Sequence, residues 1–339
     1  MQKESKSPRV HYAWVICGAC TLMLFVAMGL NSNVFTVYQP YILSRYGFSN
    51  TQCSLLIGRW FHARRGLAFG IGTTGSGIAT IIMPPLITAL IEQRSLSFAF
   101  YTEAAITALA SLLILLLIRD RPEELGLLPY TAGEETKTMP RAANPERPIK
   151  CMQWCAMLLA VVMLAGPAGP GFSHLTVHFV SRGIPSASVA WLMTYLGIVL
   201  IFGKIFCGFL TDWLGGYRSN FIIGGALLGG MLLCSLSRSA SLILPAAAMT
   251  LLGAGLPMSS VSLVAWAQDL CGYAGYETAV SRFTLAYATG SFLFSAIPGI
   301  LADRTGSYAP AYWLFFTTAA ICIVLVQSIY LKNAATTHK

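Results

Sequence analysis

One lysine inside an apolar stretch is the residue of this sequence with the clearest potential chemistry. Lys204 lies in the segment IVLIFGKIFCGFL, which carries no other charge. A charge in such surroundings is costly, so by default it marks a functional site. The alternative is a lysine that extends its head group to the membrane surface, because Lys204 lies about five residues from the expected helix end.

A turn signature follows the lysine. Gly208 and Asp212 are spaced as Gly-x-x-x-Asp, Gly215 comes next, and Arg218 ends the motif. The glycine lets two helices approach closely, and the carboxylate is placed to cap a helix or pair with a cation at the membrane surface. We interpret Gly208, Asp212 and Arg218 as a gate at the inner surface. Ordinary loop charges are the alternative.

Three polar residues in the first half of the chain are further candidates. Asn31 and Tyr38 are seven residues apart, hence on one face of a helix, where they could line a cavity or make interhelical hydrogen bonds. Glu103 is the acidic residue placed well inside an early apolar span. It is a candidate for proton coupling, with a position near the outer surface as the alternative.

The composition identifies a membrane protein. Hydrophobic residues make up 55% of the 339 residues and charged residues only 10%, whereas soluble domains average about 25% charged residues. The basic residues lie in short loops, which argues against nucleic acid as a partner. The sequence shows no phosphate-binding lysine loop, so we expect no ATP. We find no enzyme motif, and the nine cysteines show no metal spacing beyond Cys17 and Cys20, so we expect neither metal nor cofactor.

The apolar pattern predicts an all-α membrane protein with nine clear spans. A polar linker at 119–150 separates an N-terminal part, 1–118, from a six-span part, 151–339. We predict the linker to be cytoplasmic. The spans are at about 12–37, 66–91, 96–118, 151–172, 188–209, 219–237, 241–266, 280–301 and 309–331.

The distribution of positive charge predicts the orientation and exposes an anomaly. With both termini and the 59–65, 119–150 and 210–218 segments in the cytoplasm, that side holds 15 of the 22 lysines and arginines. The first span then runs outward, and the chain must return before residue 59. Only about ten residues, 49–58, are available, and at ~1.5 Å each they cannot cross a ~30 Å core. An odd number of spans is therefore missing from the pattern.

Four stretches resemble one family of transporters. They are 59–71 (RWFHARRGLAFGI), 119–129 (RDRPEELGLLP), 203–212 (GKIFCGFLTD) and 302–308 (ADRTGSY). Together, and in this order, they resemble the monocarboxylate transporters and oxalate/formate antiporters of the major facilitator superfamily. The resemblance implies a bundle of twelve helices in two halves. Against it, this chain lacks most of helices 2 to 4, with the join near Leu56–Gly58.

The resemblance also implies roles for single residues. Lys204 stands where relatives usually carry an arginine on helix 8 that binds the substrate carboxylate. Lysine keeps the charge but loses the bidentate fork. Tyr287 stands where oxalate-type members carry a lysine, so a single carboxylate is favoured, although an ordinary packed tyrosine is the alternative. Arg282 begins the same helix, and cytoplasmic anchoring or substrate contact would explain it.

Two functions of different class follow from these features. The first is secondary transport of small organic anions, with monocarboxylates as the predicted class, by proton symport or anion exchange in the cell inner (plasma) membrane. The second is an incomplete family member that does not transport, from an internal deletion or a faulty gene model. A second chain that completes the cavity is a further alternative, and the oligomeric state stays open.

Overall fold

The computed structural model describes residues 12–31, 56–61, 64–119, 121–130, 151–237 and 242–337. In these residues the regular elements are helices, apart from one isolated β-bridge between Phe61 and Tyr130. The all-α fold predicted from the sequence is confirmed. The chain forms two compact units, Met1–Pro140 and Arg141–Lys339. Because most of the predicted linker lies outside the described residues, its division at 119–150 stays a prediction.

The first unit contains three long helices, α1 (Tyr12–Asn31), α2 (Arg65–Gln93) and α3 (Leu96–Leu117). Helix α1 packs against both α2 and α3. The Cys17 thiol is 3.4 Å from the Ala68 carbonyl oxygen, and four residues later Thr21 donates to the carbonyl of Ile71 at 3.2 Å. The contact four residues later on α1 is made to a carbonyl three residues later on α2, so α1 and α2 run parallel.

Two neighbouring parallel helices require the connecting chain to return along the whole bundle. Residues 32–55 and 62–63, which connect the two helices together with 56–61 and 64, are outside the described part. The predicted join near Leu56–Gly58 and the missing crossing therefore remain predictions.

The described segment at 56–61 lies at the end of the unit where α1 begins. Trp60 is buried, and its indole nitrogen donates to the Arg119 carbonyl at 2.9 Å. Tyr12, the first residue of α1, donates to the carbonyl of Leu117 at 2.9 Å. Residues 56–61 therefore lie at the same end of the unit as the first residue of α1, and the side of the membrane stays a prediction. However, Trp60 and Phe61 are core residues instead of parts of a solvated loop.

The described residues of the second unit form eight α-helices. They are α4 (Cys151–Ala168), α5 (Pro170–Ser173), α6 (Leu175–Ser181), α7 (Ser186–Leu236), α8 (Ile243–Gly255), α9 (Val261–Ser295), α10 (Ile297–Thr305) and α11 (Ala309–Thr337). Helix α4 contacts α9 and α11, while α7 contacts α8, α9 and α11. We call the end where α4 begins and α11 ends the linker end, and the opposite end the far end.

Helix α7 accounts for two predicted spans. Seven helices of the described residues are long and apolar enough to cross a membrane, and one of them, Ser188–Leu236, has 49 residues. At ~1.5 Å per residue this is more than twice the ~30 Å core. Gly215 divides it with φ 76° and ψ 165°, a conformation that favours glycine. With α7 counted as two arms, and α1 included, each of the nine predicted spans has a helix.

Candidate functional site

Lys204 is buried in the first arm of α7, with a side chain only 6% exposed. Beside it, a Cβ atom on Gly203 would collide with the backbone carbonyl oxygen of Gly253 on α8. The two helices thus meet backbone to backbone next to the lysine. Cys207, one turn further along α7, is buried as well. The sequence had identified the cation, and the structure shows the close packing that encloses it.

A break in the helix after α8 brings hydroxyl groups to this region. Residues Leu256–Ser259 form a 3-10 turn that contains Pro257. Ser262, just after the turn, places its hydroxyl 3.5 Å from the Cys207 sulfur. Ser259, at the end of the turn, donates to the Leu256 carbonyl at 2.9 Å and lies beside the side chain of Tyr287. The turn therefore links the surroundings of Lys204 to Tyr287.

Tyr287 belongs to a group of four hydroxyl side chains. It lies in the second arm of α9, where Ser291, one turn further along, also lies beside it. We call Ser259, Ser262, Tyr287 and Ser291 the hydroxyl cluster. An ammonium group near such hydroxyls can neutralise a carboxylate and satisfy its oxygen atoms, which is the chemistry that an anion site requires. Tyr287 thus lies beside Ser259 of the turn, and Cys207, one helical turn from Lys204, lies beside Ser262 just after it.

The three serines and Cys207 were not predicted from the sequence. The available signal was Pro257 followed closely by Ser259, Ser260 and Ser262 inside an apolar span. An interrupted apolar segment is a good indicator of a transporter binding site, because unwound backbone is tolerated where it borders a cavity.

Arg282 lies away from this segment, at the linker end. Its side chain is exposed, and the guanidinium carbon lies 5.2 Å from the ring centre of Trp154 in the first turn of α4. Nearby, Gln153 donates to Asn333 of α11 at 2.9 Å. The cation–π contact agrees with the anchoring role that the sequence analysis left open.

The residues predicted for gating lie in both units. Gly208 is buried in α7, while Asp212 and Arg218 are exposed on either side of the break at Gly215. Glu103 is buried in α3 of the first unit, with 3% of its side chain exposed. Asn31 is the last described residue of α1, but its side chain and all of Tyr38 lie outside the described residues.

Two polar residues at the linker end were missed. Tyr330 of α11 donates to the Asp269 carboxylate of α9 at 2.7 Å. Gly216, just after the break in α7, adjoins both, since a Cβ atom there would lie 2.5 Å from an oxygen of each. This contact joins three helices at the turn of the Gly/Asp/Gly motif. No short sequence pattern could reveal it, because 61 positions separate the two side chains.

Solved structures share this fold. An MFS transporter, FucP, in the outward conformation superimposes with a TM-score of 0.61 and 16% identity, covering 95% of this chain and 84% of that one. A bacterial homologue of the iron transporter ferroportin in an outward-facing state, with soaked iron, gives a TM-score of 0.60 and 12% identity over 95% and 83% of the two chains. At these identities the likeness shows the fold alone.

The curated relatives share sequence as well. Monocarboxylate transporter 12 of Xenopus laevis is 26% identical over 302 residues, which cover 80% of this chain and 63% of that protein. Its Homo sapiens counterpart is 25% identical over 285 residues, covering 76% and 55%. The MFS transporter asaE of Aspergillus flavus is 24% identical over 255 residues, covering 74% and 54%.

The chain thus spans between about half and two thirds of the length of these relatives. The sequence profile of the Major Facilitator Superfamily matches residues 9–276, which include the helices of the first unit and most of those of the second. This match carries the assignment, and the solved structures agree with it in fold. The chain belongs to the major facilitator superfamily of membrane transporters.

Proposed function

We propose that this protein carries small organic anions, specifically monocarboxylates, across a membrane by proton symport or anion exchange. The observation that carries the proposal is the buried side chain of Lys204, one helical turn from Cys207, whose sulfur lies 3.5 Å from the Ser262 hydroxyl of the hydroxyl cluster. A snorkelling lysine would expose its charged head, whereas this side chain is 6% exposed. The names of the monocarboxylate transporter relatives support the same class of substrate.

The proposed mechanism is the rocking of two halves around a central substrate. Lys204 would neutralise the carboxylate and Tyr287 would orient it, with Asn31 and Tyr38 contributing from the first helix. Arg282 would attract the anion at the linker end. For Lys204, Tyr287 and Arg282, these roles take the arrangement described above as that of the substrate-bound transporter.

We assign the conformational change of transport, and its coupling to protons, to the residues predicted for gating or coupling. Gly208, Asp212 and Arg218 would close the cytoplasmic side, and Glu103 would carry the coupled proton. We place the protein in the cell inner (plasma) membrane with both termini in the cytoplasm, and assign it neither ATP nor a nucleic-acid partner.

Uptake by proteoliposomes tests the substrate class. The purified chain should take up labelled formate, lactate and pyruvate with saturable kinetics. Oxalate should be taken up more slowly, because one buried cation balances only one of its two charges. Lactamide, a neutral analogue of lactate, is the matched control. Equal uptake of lactate and lactamide would rule out recognition of the carboxylate.

Replacing Tyr287 with phenylalanine should weaken substrate binding without preventing transport. The ring is retained, but one hydroxyl of the cluster is lost. The loss of one hydrogen bond should raise the KM of uptake by about 2- to 12-fold, with little change in maximal rate. Tyr195→Phe is the control, because Tyr195 is exposed and its hydroxyl contacts Thr250. An unchanged KM in Tyr287→Phe would remove Tyr287 from the site.

A second candidate function is that of an incomplete, inactive relative. The parallel arrangement of α1 and α2 favours it, because family members need further helices to connect two such helices. The Xenopus laevis relative, of which the match covers 63%, is also much longer. In this case the faces of α2 and α3 that normally pack on the missing helices would remain uncovered. A second chain that covers them would restore a complete half.

A further inference from the structure

A buried histidine at the far end of the second unit has no role in the proposed transport site. His178 lies in α6, between the candidate spans Cys151–Ser173 and Ser188–Leu236, and its side chain is 0% exposed. One ring nitrogen, Nε2, is 2.9 Å from the carbonyl oxygen of Cys234 in α7. Since a carbonyl only accepts, Nε2 carries the proton and Nδ1 presents a lone pair. Nδ1 is buried without a hydrogen-bond partner among the described residues.

The surroundings of His178 disfavour a positive charge. The ring packs against Tyr312 of α11, with 4.4 Å between centres, and against Phe179 at 5.0 Å. The charge of Arg182, on the same loop, repels a second cation. A proton on Nδ1 would create a buried donor without an acceptor beside this like charge. The neutral ring is therefore the form that fits the packed arrangement.

The other titratable groups near His178, among the described residues, lie on its own segment and next to it on α7 and α11. The ring of His174, on the same segment, is 6.2 Å from the ring of Tyr308, just before α11. The Cys234 thiol belongs to α7 and the Tyr312 phenol to α11. Thiols and phenols ordinarily ionise above about pH 8. A histidine exposed to water ordinarily titrates between pH 5 and 8, and His178 is the buried histidine of this contact.

The segment that carries His178 is connected at both ends by irregular backbone. Helix α4 ends before Gly169, whose φ of −97° and ψ of −91° are not helical, and Pro170 begins α5. After α6, Gly183 adopts φ 84°. Between these points the segment 170–181 is held by the His178 contact, by a hydrogen bond from Tyr312 to the Gly171 carbonyl at 2.9 Å, and by the fully buried side chains of Leu175 and Phe179. Its release must therefore separate these contacts together.

We infer that His178 is a proton-binding site, and that proton binding at Nδ1 releases the segment 170–181 from α7 and α11. In the packed state the ring is neutral, and its Nε2 donates a hydrogen bond to the carbonyl of Cys234. In the released state water solvates the imidazolium ion. Acid pH therefore favours release at the far end.

The sign and size of the pH effect follow from the burial of the ring. Burial lowers the pKa of His178 to about 4 from 6.5. Docking is fully stable above pH 6.5 and loses stability as the pH falls toward 4, where the docked ring itself becomes protonated. Between about pH 7.5 and 5.5 the released fraction should rise roughly tenfold.

The rate at which the Cys234 thiol is labelled measures the release of the segment 170–181. Cys234 is fully buried, whereas Cys151 is exposed at the start of α4. The purified full chain in detergent would be treated with 4,4′-dithiodipyridine, which reacts with thiols at acid pH, and both sites quantified by mass spectrometry. The rate at Cys234 relative to Cys151 removes the pH dependence of the reagent. This ratio should rise about tenfold between about pH 7.5 and 5.5.

Two histidine variants complete the experiment. In His178→Gln the ratio should be independent of pH, because glutamine can still donate to the Cys234 carbonyl but does not titrate here. In His174→Gln the rise should remain. If the ratio of the labelling rates at Cys234 and Cys151 does not change with pH in the unmodified chain, the inference is overturned without any variant. A rise that persists in His178→Gln, or is lost in His174→Gln, also overturns it.

Discussion

Replacement of Lys204 by alanine should abolish measurable saturable uptake of monocarboxylates. The ammonium group is the cation enclosed at the contact of α7 and α8, and the hydroxyl cluster offers no charge to replace it. Removing one partner of a buried, hydrogen-bonded charge pair costs about 2–5 kcal/mol, or roughly 30- to several-thousand-fold in affinity. Initial uptake rates of labelled pyruvate in proteoliposomes, measured over a range of concentrations, test this expectation.

Two matched variants separate charge from structure in that experiment. Lys204→Arg keeps the positive charge and should retain part of the uptake with altered preference among anions, because its planar fork binds carboxylates differently. Lys332→Ala removes an exposed lysine at the linker end and should transport like the parent. If Lys204→Ala transports as well as Lys332→Ala, Lys204 has no role in binding.

The substitution Gly203→Ala should destabilise the second unit strongly, although it adds a single methyl group. That group would be directed at the carbonyl oxygen of Gly253, so the backbones of α7 and α8 must separate. Overpacking of this kind costs about 1–3 kcal/mol, and backbone cannot rotate away as a side chain could. The melting temperature of the purified protein in detergent should fall, and transport should decline because Lys204 moves with its helix.

Gly225→Ala is the control for this substitution. Gly225 lies in the second arm of α7, is exposed, and has open space around its missing Cβ atom. Alanine is favoured over glycine in a helix by up to about 1 kcal/mol, so this variant should match or exceed the parent in melting temperature. Equal melting temperatures for the two variants would show that α7 and α8 do not pack closely at Gly203.

The sequence predicted the features that depend on local pattern. The lengths of the apolar stretches predicted the positions of the helices. The Gly/Asp/Gly motif predicted the turn between two spans that the structure shows as the break of α7 at Gly215, where the positive φ favours glycine. Lys204 was identified because a charged residue in an apolar segment is visible in the sequence alone. The family resemblance then linked it to Tyr287.

Features that depend on tertiary contact were not predicted. Ser259 and Ser262 appeared as ordinary span residues, because only the fold brings Cys207 and Tyr287 to them. Trp60 was assigned to a basic loop, since neighbouring arginines dominate the local composition. Its buried ring packs against Tyr12, with 5.4 Å between ring centres, and donates to the carbonyl of Arg119, which lies 59 positions away.

Whether the chain as written transports is tested most directly by one comparison in proteoliposomes. Saturable uptake of labelled pyruvate would be measured for this chain and for a version into which the helices 2 to 4 of a relative have been inserted near Leu56–Gly58. The proposed function predicts saturable uptake by the chain as written, above that of empty liposomes. No uptake by this chain, with uptake by the extended version, would contradict it and identify an incomplete carrier.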